Sequence, residues 1–377
     1  MGLSPVNGCA AGKRLLDGKG CAMKRTVVWG CALLLLRTAA LTAQPPAPFY
    51  ADKSNVMYYL GEDGARHPVT TVADWQKRRE HILANAQAVM GPLPDASKRV
   101  PLDVQTVEQV ALPKATRRKV FFSPEKGDRV PAYLFVPHGI QGRRPAVLCL
   151  HQTISLGKGE PAGLGGDKPY ALELAERGYV TLAPDYPNFG EYACDPYAMG
   201  YASATMKGVW NHIRAVDLLQ AMPEVDPERI GAIGHSLGGH NAIFAAVFDP
   251  RIKAVVTSCG FNAFPKYYGG KLAGWSHRGY MPRIAERYAA DPRRVPFDFT
   301  ELVAALAPRP FFTNSPTGDE NFEKSGVDDC LKAAAPVYAL FEARENLVAL
   351  HPNCGHSFPP EIRRAAYAFL DQALGKP

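Results

Sequence analysis

The hexapeptide GHSLGG at residues 234–239 constrains the fold of this chain more than any other segment. It contains the pattern G-x-S-x-G, in which a nucleophilic serine stands on a sharp turn between a strand and a helix. The largely apolar run 229–233 before it is typical of a buried strand, and the apolar run 240–248 after it is typical of a helix. Because glycines tolerate the unusual backbone of such a turn, the segment predicts that Ser236 is a nucleophile presented at a helix N-terminus.

A serine nucleophile needs a base, and the base needs an acid that fixes its tautomer. His356 lies in the turn-rich loop 351–359, between a late strand, 346–350, and a closing helix, 361–374. His351 is the alternative base, but it ends the strand and precedes a proline, which is more typical of a packing residue. The sequence therefore favours His356 as the base.

The acid of such a site follows the strand that precedes the histidine strand, since the chain order is serine, then acid, then histidine. Strand 310–314 is followed by a loop that holds Asp319 and Glu320, and Asp328 falls in the next helix-like segment. Asp319 is the predicted acid because it follows Gly318 in the strand-end turn. Spacing alone does not separate Asp319 from Glu320, and both stay open at this point.

An acyl-transfer site also needs N–H donors aimed at the oxyanion of the tetrahedral intermediate. The backbone N–H of Leu237, directly after the nucleophile, is expected to be one donor. The other is expected from the loop after strand 146–150, which begins His151-Gln152-Thr153. Thr153 is the predicted second donor, and Gln152 is the alternative.

Strand-like and helix-like segments alternate through most of the chain. Further strand-like runs lie at 119–122, 132–136, 179–183 and 253–258, and residues 201–222 show apolar side chains at helical spacing. Such alternation predicts an α/β fold with a mostly parallel central sheet and helices on both faces. The length of 377 residues and the 46% hydrophobic content suit one large doubly wound domain.

These features resemble the α/β-hydrolase superfamily, and within it the dienelactone hydrolase-like and acetyl xylan esterase-like esterases of bacteria. The resemblance rests on the segments 151–153, 182–186, 234–239, 249–252 and 355–356. It implies hydrolysis of small, acetyl-type esters on carbohydrate through an acyl-enzyme, with no metal and no cofactor. The related glucuronoyl esterases carry a basic residue directly after the serine. This chain has Leu237 there, which argues against a uronate ester as substrate.

Three other activities share parts of this pattern. A prolyl-oligopeptidase-like peptidase has the same order of catalytic residues, but the segment before the core is too short for its usual propeller. A lactone hydrolase of the dienelactone type usually has a cysteine nucleophile, where this chain has Ser236. A catalytically silent hydrolase fold used for binding is the third alternative, because a fold does not imply an activity.

Residues 260–299 form an insertion between the strand after the nucleophile helix and the acid strand. The insertion is rich in ring side chains: Phe261, Phe264, Tyr267, Tyr268, Trp275, His277, Tyr280 and Tyr288. This composition predicts a cap or lid whose rings stack on a substrate, with ordinary packing as the alternative. The predicted substrate-binding residues are Trp275, Tyr186 and Gln152, the last two at strand ends where ligands bind in such sheets.

The first 43 residues are predicted to be a secretory signal peptide, with Met23 as an alternative start. Met23-Lys24-Arg25 precedes an apolar run that ends in the small residues before position 44, and this run is too short to span a bilayer. We therefore expect an exported protein, periplasmic or extracellular, without stable membrane insertion. Residues 44–113 are predicted to be an N-terminal extension that packs on a hydrolase domain of residues 114–377.

Neither the charge nor the spacing of the cysteines indicates a nucleic-acid partner or a zinc motif. The formal net charge of +7 falls close to neutral without the basic leader, and the remaining basic residues are scattered, which is not typical of nucleic-acid binding. Five cysteines follow the leader, with no spacing typical of a zinc site. A disulfide between Cys259 and Cys354, pinning the histidine loop, is one hypothesis, and buried free thiols are the other. The oligomeric state is not predicted.

Overall fold

The computed structural model describes residues 47–139 and 141–377. The predicted signal peptide, residues 1–43, lies outside these residues. Among the residues described, no helix combines the length and the apolar character needed to cross a bilayer.

A nine-stranded sheet forms the centre of the fold, in the order β11-β10-β9-β8-β6-β7-β5-β4-β3. The six strands β6 to β11 pair with one another in parallel. At the other edge, β3, β4 and β5 pair antiparallel, and β5 is also antiparallel to β7. The strands are β3 (Gln105–Ala111), β4 (Ala115–Phe122), β5 (Val130–Pro137), β6 (Arg144–Leu150), β7 (Val180–Pro184), β8 (Val225–His235), β9 (Ile252–Ser258), β10 (Phe311–Asn314) and β11 (Leu347–Leu350). The predicted α/β class and mostly parallel sheet are confirmed.

Helices cover both faces of this sheet. The side chains of β6 alternate between two hydrophobic clusters: Leu148 belongs to the cluster that contains residues of the helices at 204–221, 237–248 and 324–340, and Cys149 to the cluster that contains residues of those at 170–176 and 360–374. This alternation follows from the two-residue period of a strand. The helices are α2 (Tyr170–Glu176), α3 (Ala204–Ala221), α4 (Leu237–Phe248), α8 (Lys324–Leu340) and α9 (Pro360–Leu374).

The N-terminal segment contains a short hairpin, β1 (Tyr58–Leu60) and β2 (Arg66–Pro68), and one long helix, α1 (Val72–Met90). Arg78 of α1 forms an ion pair of 2.5 Å with Glu301, and neither side chain is exposed. Removing one partner of such a pair costs about 3–5 kcal/mol, because the other charge stays buried alone. The boundary predicted at residue 114 needs correction, since β3 precedes it and belongs to the central sheet.

The insertion 260–299 is mostly irregular backbone with short helical turns. It contains a 3₁₀ segment (Phe264–Gly269), α5 (Ala273–Ser276) and α6 (Arg283–Glu286), and α7 (Phe299–Ala304) follows at its end. Asp298 caps α7 by accepting the backbone N–H of Phe299, and it also accepts the N–H of Phe264. The insertion is therefore fixed to the core at its end by a buried carboxylate.

Candidate active site

Ser236 lies on the turn between β8 and α4, with a backbone φ of 53° and ψ of −117°. A non-glycine residue in such a conformation stores about 1–3 kcal/mol of strain, which is typical of functional turns. The turn depends on its glycines: a Cβ added at Gly238 would lie 1.8 Å from the carbonyl oxygen of Leu150. One added at Gly234 would lie 2.2 Å from the backbone of Gly238. The local sequence therefore fixes the position of the serine.

His356 and Asp319 contact each other directly. The Nδ1 atom of His356 lies 3.0 Å from Oδ2 and 3.1 Å from Oδ1 of Asp319. The carboxylate side chain is 1% exposed and the imidazole side chain 29% exposed. Asp319 also accepts the backbone N–H groups of Asn321 and Phe322, at 2.9 and 3.0 Å. The carboxylate is thus held in the orientation that an imidazole base requires.

Burial would raise the pKa of Asp319, but the other contacts prevail. The hydrogen bond and charge of His356, together with the N–H groups of Phe322 and Asn321, lower this pKa below its ordinary value. The carboxylate is therefore ionised at neutral pH. An ionised acid can fix the imidazole tautomer and stabilise the imidazolium that forms during catalysis.

The imidazole of His356 lies next to the serine turn. Its ring centroid is 4.9 Å from that of His235, the residue directly before Ser236. Among the described residues, His356 makes side-chain hydrogen bonds through Nδ1 to Asp319, and none joins its Nε2 to Ser236 Oγ. Such contacts often tighten only when substrate is bound.

The alternative residues lie elsewhere. His351 Nδ1 lies 2.8 Å from the carbonyl oxygen of Ser315, and its Nε2 faces Asp328 at 3.6 Å. Asp328 also pairs with Lys324 along α8. The side chain of Glu320 is exposed, whereas Asp319 next to it is buried against His356. The geometry therefore favours His356 and Asp319 over their neighbours.

A buried polar network, which was not predicted from the sequence, lies next to this pair. Asn314 Nδ2 donates to Ser258 Oγ and to the carbonyl oxygen of Ser357, both at 2.8 Å. Ser258 Oγ also lies 2.9 Å from Nδ1 of His235. Burial, with the nearby charge of His356, holds the pKa of His235 well below its ordinary value. The signal in the sequence was an asparagine and a serine at the ends of adjacent strands.

Two backbone segments are suited to bind an oxyanion. The N–H of Leu237, at the start of α4, bonds to no backbone carbonyl among the described residues. The loop after β6 is fixed by His151, whose Nδ1 lies 2.6 Å from the carbonyl oxygen of Gln152 and whose Nε2 accepts the N–H of Tyr186 at 2.9 Å. The Gln152 side chain donates to Glu160 at 2.8 Å. The N–H groups of Gln152 and Thr153 both stay candidates for the second donor.

The structure buries two of the three predicted substrate contacts, whose role in substrate binding stays a prediction. Trp275 is 2% exposed and packs against the rings of His240, Phe264, Tyr267, Tyr280, Phe299 and Phe322. Tyr186 is 3% exposed, and its hydroxyl donates to the carbonyl oxygen of Gly279 at 3.0 Å. Both side chains are buried by packing and shape the site from inside the protein. Gln152, the third predicted contact, is partly exposed.

Tyr280 is the insertion residue that reaches the oxyanion loop. Its hydroxyl lies 3.2 Å from Oγ1 of Thr153. The ring packs against His240 and Trp275, at centroid distances of 5.4 and 5.9 Å. Tyr280 was one of the rings in the insertion, but composition alone did not distinguish it from Trp275.

The disulfide hypothesis is wrong in this structure, because Cys259 and Cys354 are both free thiols. Cys259 is buried, and its Sγ donates to the carbonyl oxygen of Ser357 at 3.3 Å. One potential ligand atom each of Cys259, Asp319 and His356 lies within 4.8 Å of the other two. These three residues are therefore the group in this site that could hold a metal ion.

Comparisons with known proteins agree with this fold. A sequence-family model described as "Glucuronyl esterase, fungi" matches residues 195–342. YtaP of Bacillus subtilis (strain 168), which is named as a hydrolase, is 27% identical over 303 residues, covering 76% of this chain and 96% of its own.

Two solved structures share the fold. The glucuronoyl esterase from Solibacter usitatus superposes with a TM-score of 0.69 at 20% identity, covering 87% of this chain and 99% of its own. Acetyl xylan esterase 1 from Thermoanaerobacterium sp. superposes with a TM-score of 0.55 at 17% identity, covering 78% of this chain and 93% of its own. The chain therefore shares the fold of these glucuronoyl esterase and acetyl xylan esterase structures, and its sequence is similar to a protein named as a hydrolase.

Proposed function

We propose that this protein is an exported serine carboxylesterase that removes small, acetyl-type acyl groups from carbohydrate. Ser236 is the nucleophile, His356 the base and Asp319 the acid. The observation that carries the proposal is the hydrogen-bonded His356–Asp319 pair beside the strained turn of Ser236. A buried carboxylate, an imidazole and a strained serine turn together match the roles of a serine hydrolase triad.

The reaction proceeds in two balanced steps. Ser236 Oγ attacks the acyl carbon while His356 accepts its proton, and the sugar alcohol leaves with that proton. Water then attacks the acyl-enzyme and loses a proton to His356, which gives this proton to Ser236 Oγ as the carboxylic acid leaves. In both steps the N–H of Leu237 and one N–H of the Gln152-Thr153 loop bind the oxyanion.

Limited space near Leu237 supports small acyl groups. The cavity behind it, lined in part by Leu150, His151 and Tyr186, measures about 10 Å³, which is room for about one water molecule. Leu237 and Tyr186 pack together with Ala204 as a small apolar cluster. The described residues therefore leave no room for an acyl chain directly behind Leu237. A separate cavity of about 550 Å³ lies elsewhere, between the N-terminal segment, the insertion and α8.

A uronate ester is the second candidate, because the matching family model and the Solibacter usitatus structure carry the glucuronoyl esterase description. Against it stands the residue after the nucleophile. Leu237 is 1% exposed and apolar, and it therefore offers no positive charge to a substrate carboxylate. We accordingly favour neutral acyl esters.

The test compares purified protein with its Ser236→Ala variant on three substrates. These are p-nitrophenyl esters from acetate to octanoate, acetylated xylan and a methyl ester of glucuronic acid. We expect acetate to be cleaved fastest, acetic acid to be released from xylan, and all activity to vanish in the variant. Faster cleavage of the uronate ester would favour the second candidate. Inactivity on every ester would contradict the proposal and turn attention to peptides.

Export is tested separately by N-terminal sequencing of the protein recovered outside the cytoplasm. We expect a mature N-terminus near residue 44. A full-length N-terminus on cytoplasmic protein would contradict this part of the proposal.

A further inference from the structure

Three side chains with metal-binding atoms meet at the carboxyl edge of the sheet. Cys259 directly follows β9, the loop with Asp319 follows β10, and the loop with His356 follows β11. These three strands are parallel neighbours, so their ends lie side by side. One ligand atom of each residue accordingly lies within 4.8 Å of the other two. Topology thus places a thiol beside the proposed base and acid.

The donor set suits a thiophilic divalent cation. Thiolate, imidazole and carboxylate are the three side-chain groups that bind zinc in proteins, at about 2.0–2.3 Å. A tetrahedral ion with these bond lengths holds its ligand atoms about 3.4–3.8 Å apart. The three atoms, which lie within 4.8 Å of one another, are therefore at most about 1.4 Å too far apart, a gap that small side-chain rotations can close.

We propose that Cys259, Asp319 and His356 form a binding site for Zn²⁺ or a similar thiophilic cation, and that occupation of this site inhibits the esterase. On binding, the S–H bond of Cys259 breaks, a metal–sulfur bond forms, and the proton leaves to solvent, with no change in oxidation state. The metal takes the Nδ1 atom of His356 away from Asp319. The imidazole then no longer has the partner that orients it as a base.

Burial explains how such a site is reached. Cys259 is 2% exposed and the Asp319 side chain 1%, whereas the His356 side chain is 29% exposed. The imidazole therefore forms the solvent-facing side of the cluster. A cation would enter past His356, whose imidazole would shift by a small rotation from its hydrogen bond with Asp319 so that both groups bind the ion.

The binding part of the proposal is tested with Co²⁺, which reports thiolate ligation by a charge-transfer band in the near ultraviolet. The protein used is Ser236→Ala, so that the result does not depend on esterase activity. We expect one Co²⁺ per chain with a thiolate band. Adding Cys259→Ser should abolish the band while its hydroxyl keeps the contact with the carbonyl of Ser357. Adding Cys354→Ser, a matched control on the other thiol near His356, should leave the band intact.

Each result of the Co²⁺ experiment either supports or overturns the proposed site. A band that survives Cys259→Ser, or no band in any variant, overturns the site. Loss of the band in Cys259→Ser but not in Cys354→Ser supports it, and its loss in His356→Gln identifies the second ligand.

The inhibition part rests on the proposed function, and its failure can be told apart from failure of that function. Activity of each protein is measured with Zn²⁺ relative to the same protein without metal, and Mg²⁺ serves as the control ion. We expect half-inhibition of Cys259→Ser to need at least about tenfold more Zn²⁺ than the unmodified protein. An active esterase that is equally sensitive in both forms contradicts the inference alone. An inactive protein that still shows the Co²⁺ band contradicts only the proposed function.

Discussion

The loops that follow the strands of the candidate site, with Ser236, Asp319 and His356, and the insertion 260–299 position their side chains in different ways. In these loops, Ser236, Asp319 and His356 each follow a strand of one parallel sheet, and strand register brings them together. In the insertion, α5 and α6 have four residues each, and aromatic rings around Trp275 pack against one another instead. The geometry of the candidate site is therefore set by the backbone, whereas the shape of the insertion is set by side-chain packing.

The largest expected effect concerns the loops of the candidate site. Asp319→Asn should lower kcat by about 10⁴-fold, because the amide stabilises the wrong tautomer of His356. The matched control is Glu320→Gln, which changes the neighbouring exposed carboxylate and should leave kcat within about twofold. Steady-state kinetics of both purified variants on one small ester make the measurement. The reverse result would assign the acid to Glu320.

Trp275→Ala tests the insertion side. We expect a loss of about 3–5 kcal/mol in the free energy of unfolding, because a large buried ring leaves a cavity among six others. Urea unfolding followed by circular dichroism gives this value. An unchanged stability together with a higher KM would show that Trp275 contacts substrate directly, as predicted from the sequence. It would contradict the conclusion that Trp275 serves to pack the insertion.

The candidate site and the insertion each contain a buried carboxyl group, and the two differ in pKa. The pKa of Asp319 in the site is lowered, whereas that of Asp298 at the end of the insertion is raised to about 7. Burial is the main cause for Asp298, and it outweighs the N–H groups of Phe264 and Phe299 that favour the charged form. The folded protein therefore holds a proton on Asp298 that the unfolded chain loses near its ordinary pKa of 3.8. Stability from this group is present at low pH and falls as pH rises towards 7.

Asp298→Asn should remove this dependence while its amide oxygen still caps α7. Between about pH 5 and about pH 8, we expect the parent to lose about 2–3 kcal/mol more stability than the variant, since each pH unit in the window is worth about 1.4 kcal/mol. Thermal unfolding at both pH values makes the comparison. Parallel pH profiles for the two proteins would mean that Asp298 is ionised in the folded state.

The smallest expected effect concerns the contact between Tyr280 of the insertion and Thr153 of the loop after β6. Tyr280→Phe removes the hydroxyl that contacts Thr153 at 3.2 Å, and such a hydrogen bond is worth about 1 kcal/mol. We expect a decrease of about fivefold in kcat/KM with little change in stability. Kinetics and thermal unfolding of the same preparation separate the two quantities. A fall in melting temperature with unchanged kinetics would make Tyr280 a packing residue only.

The sequence predicted the fold class, and it placed His356 and Asp319 in the loops where the structure finds them in contact, because strand ends and turns are local patterns. It did not predict the burial of Trp275 and Tyr186, since which ring of an aromatic-rich insertion faces solvent depends on the whole packing arrangement. The buried Asn314 network was missed for the same reason. β3 lay outside the predicted domain because an antiparallel edge strand with mostly exposed side chains has no apolar run.

The proposed mechanism is tested most directly by trapping the acyl-enzyme. The protein is mixed with p-nitrophenyl acetate, quenched in acid within one turnover and digested, and the peptide that contains Ser236 is analysed by mass spectrometry. We expect one acetyl group on Ser236, which accumulates with the burst of p-nitrophenol. Ester hydrolysis that continues in Ser236→Ala, with no acetyl group on this peptide in the parent protein, would contradict this mechanism.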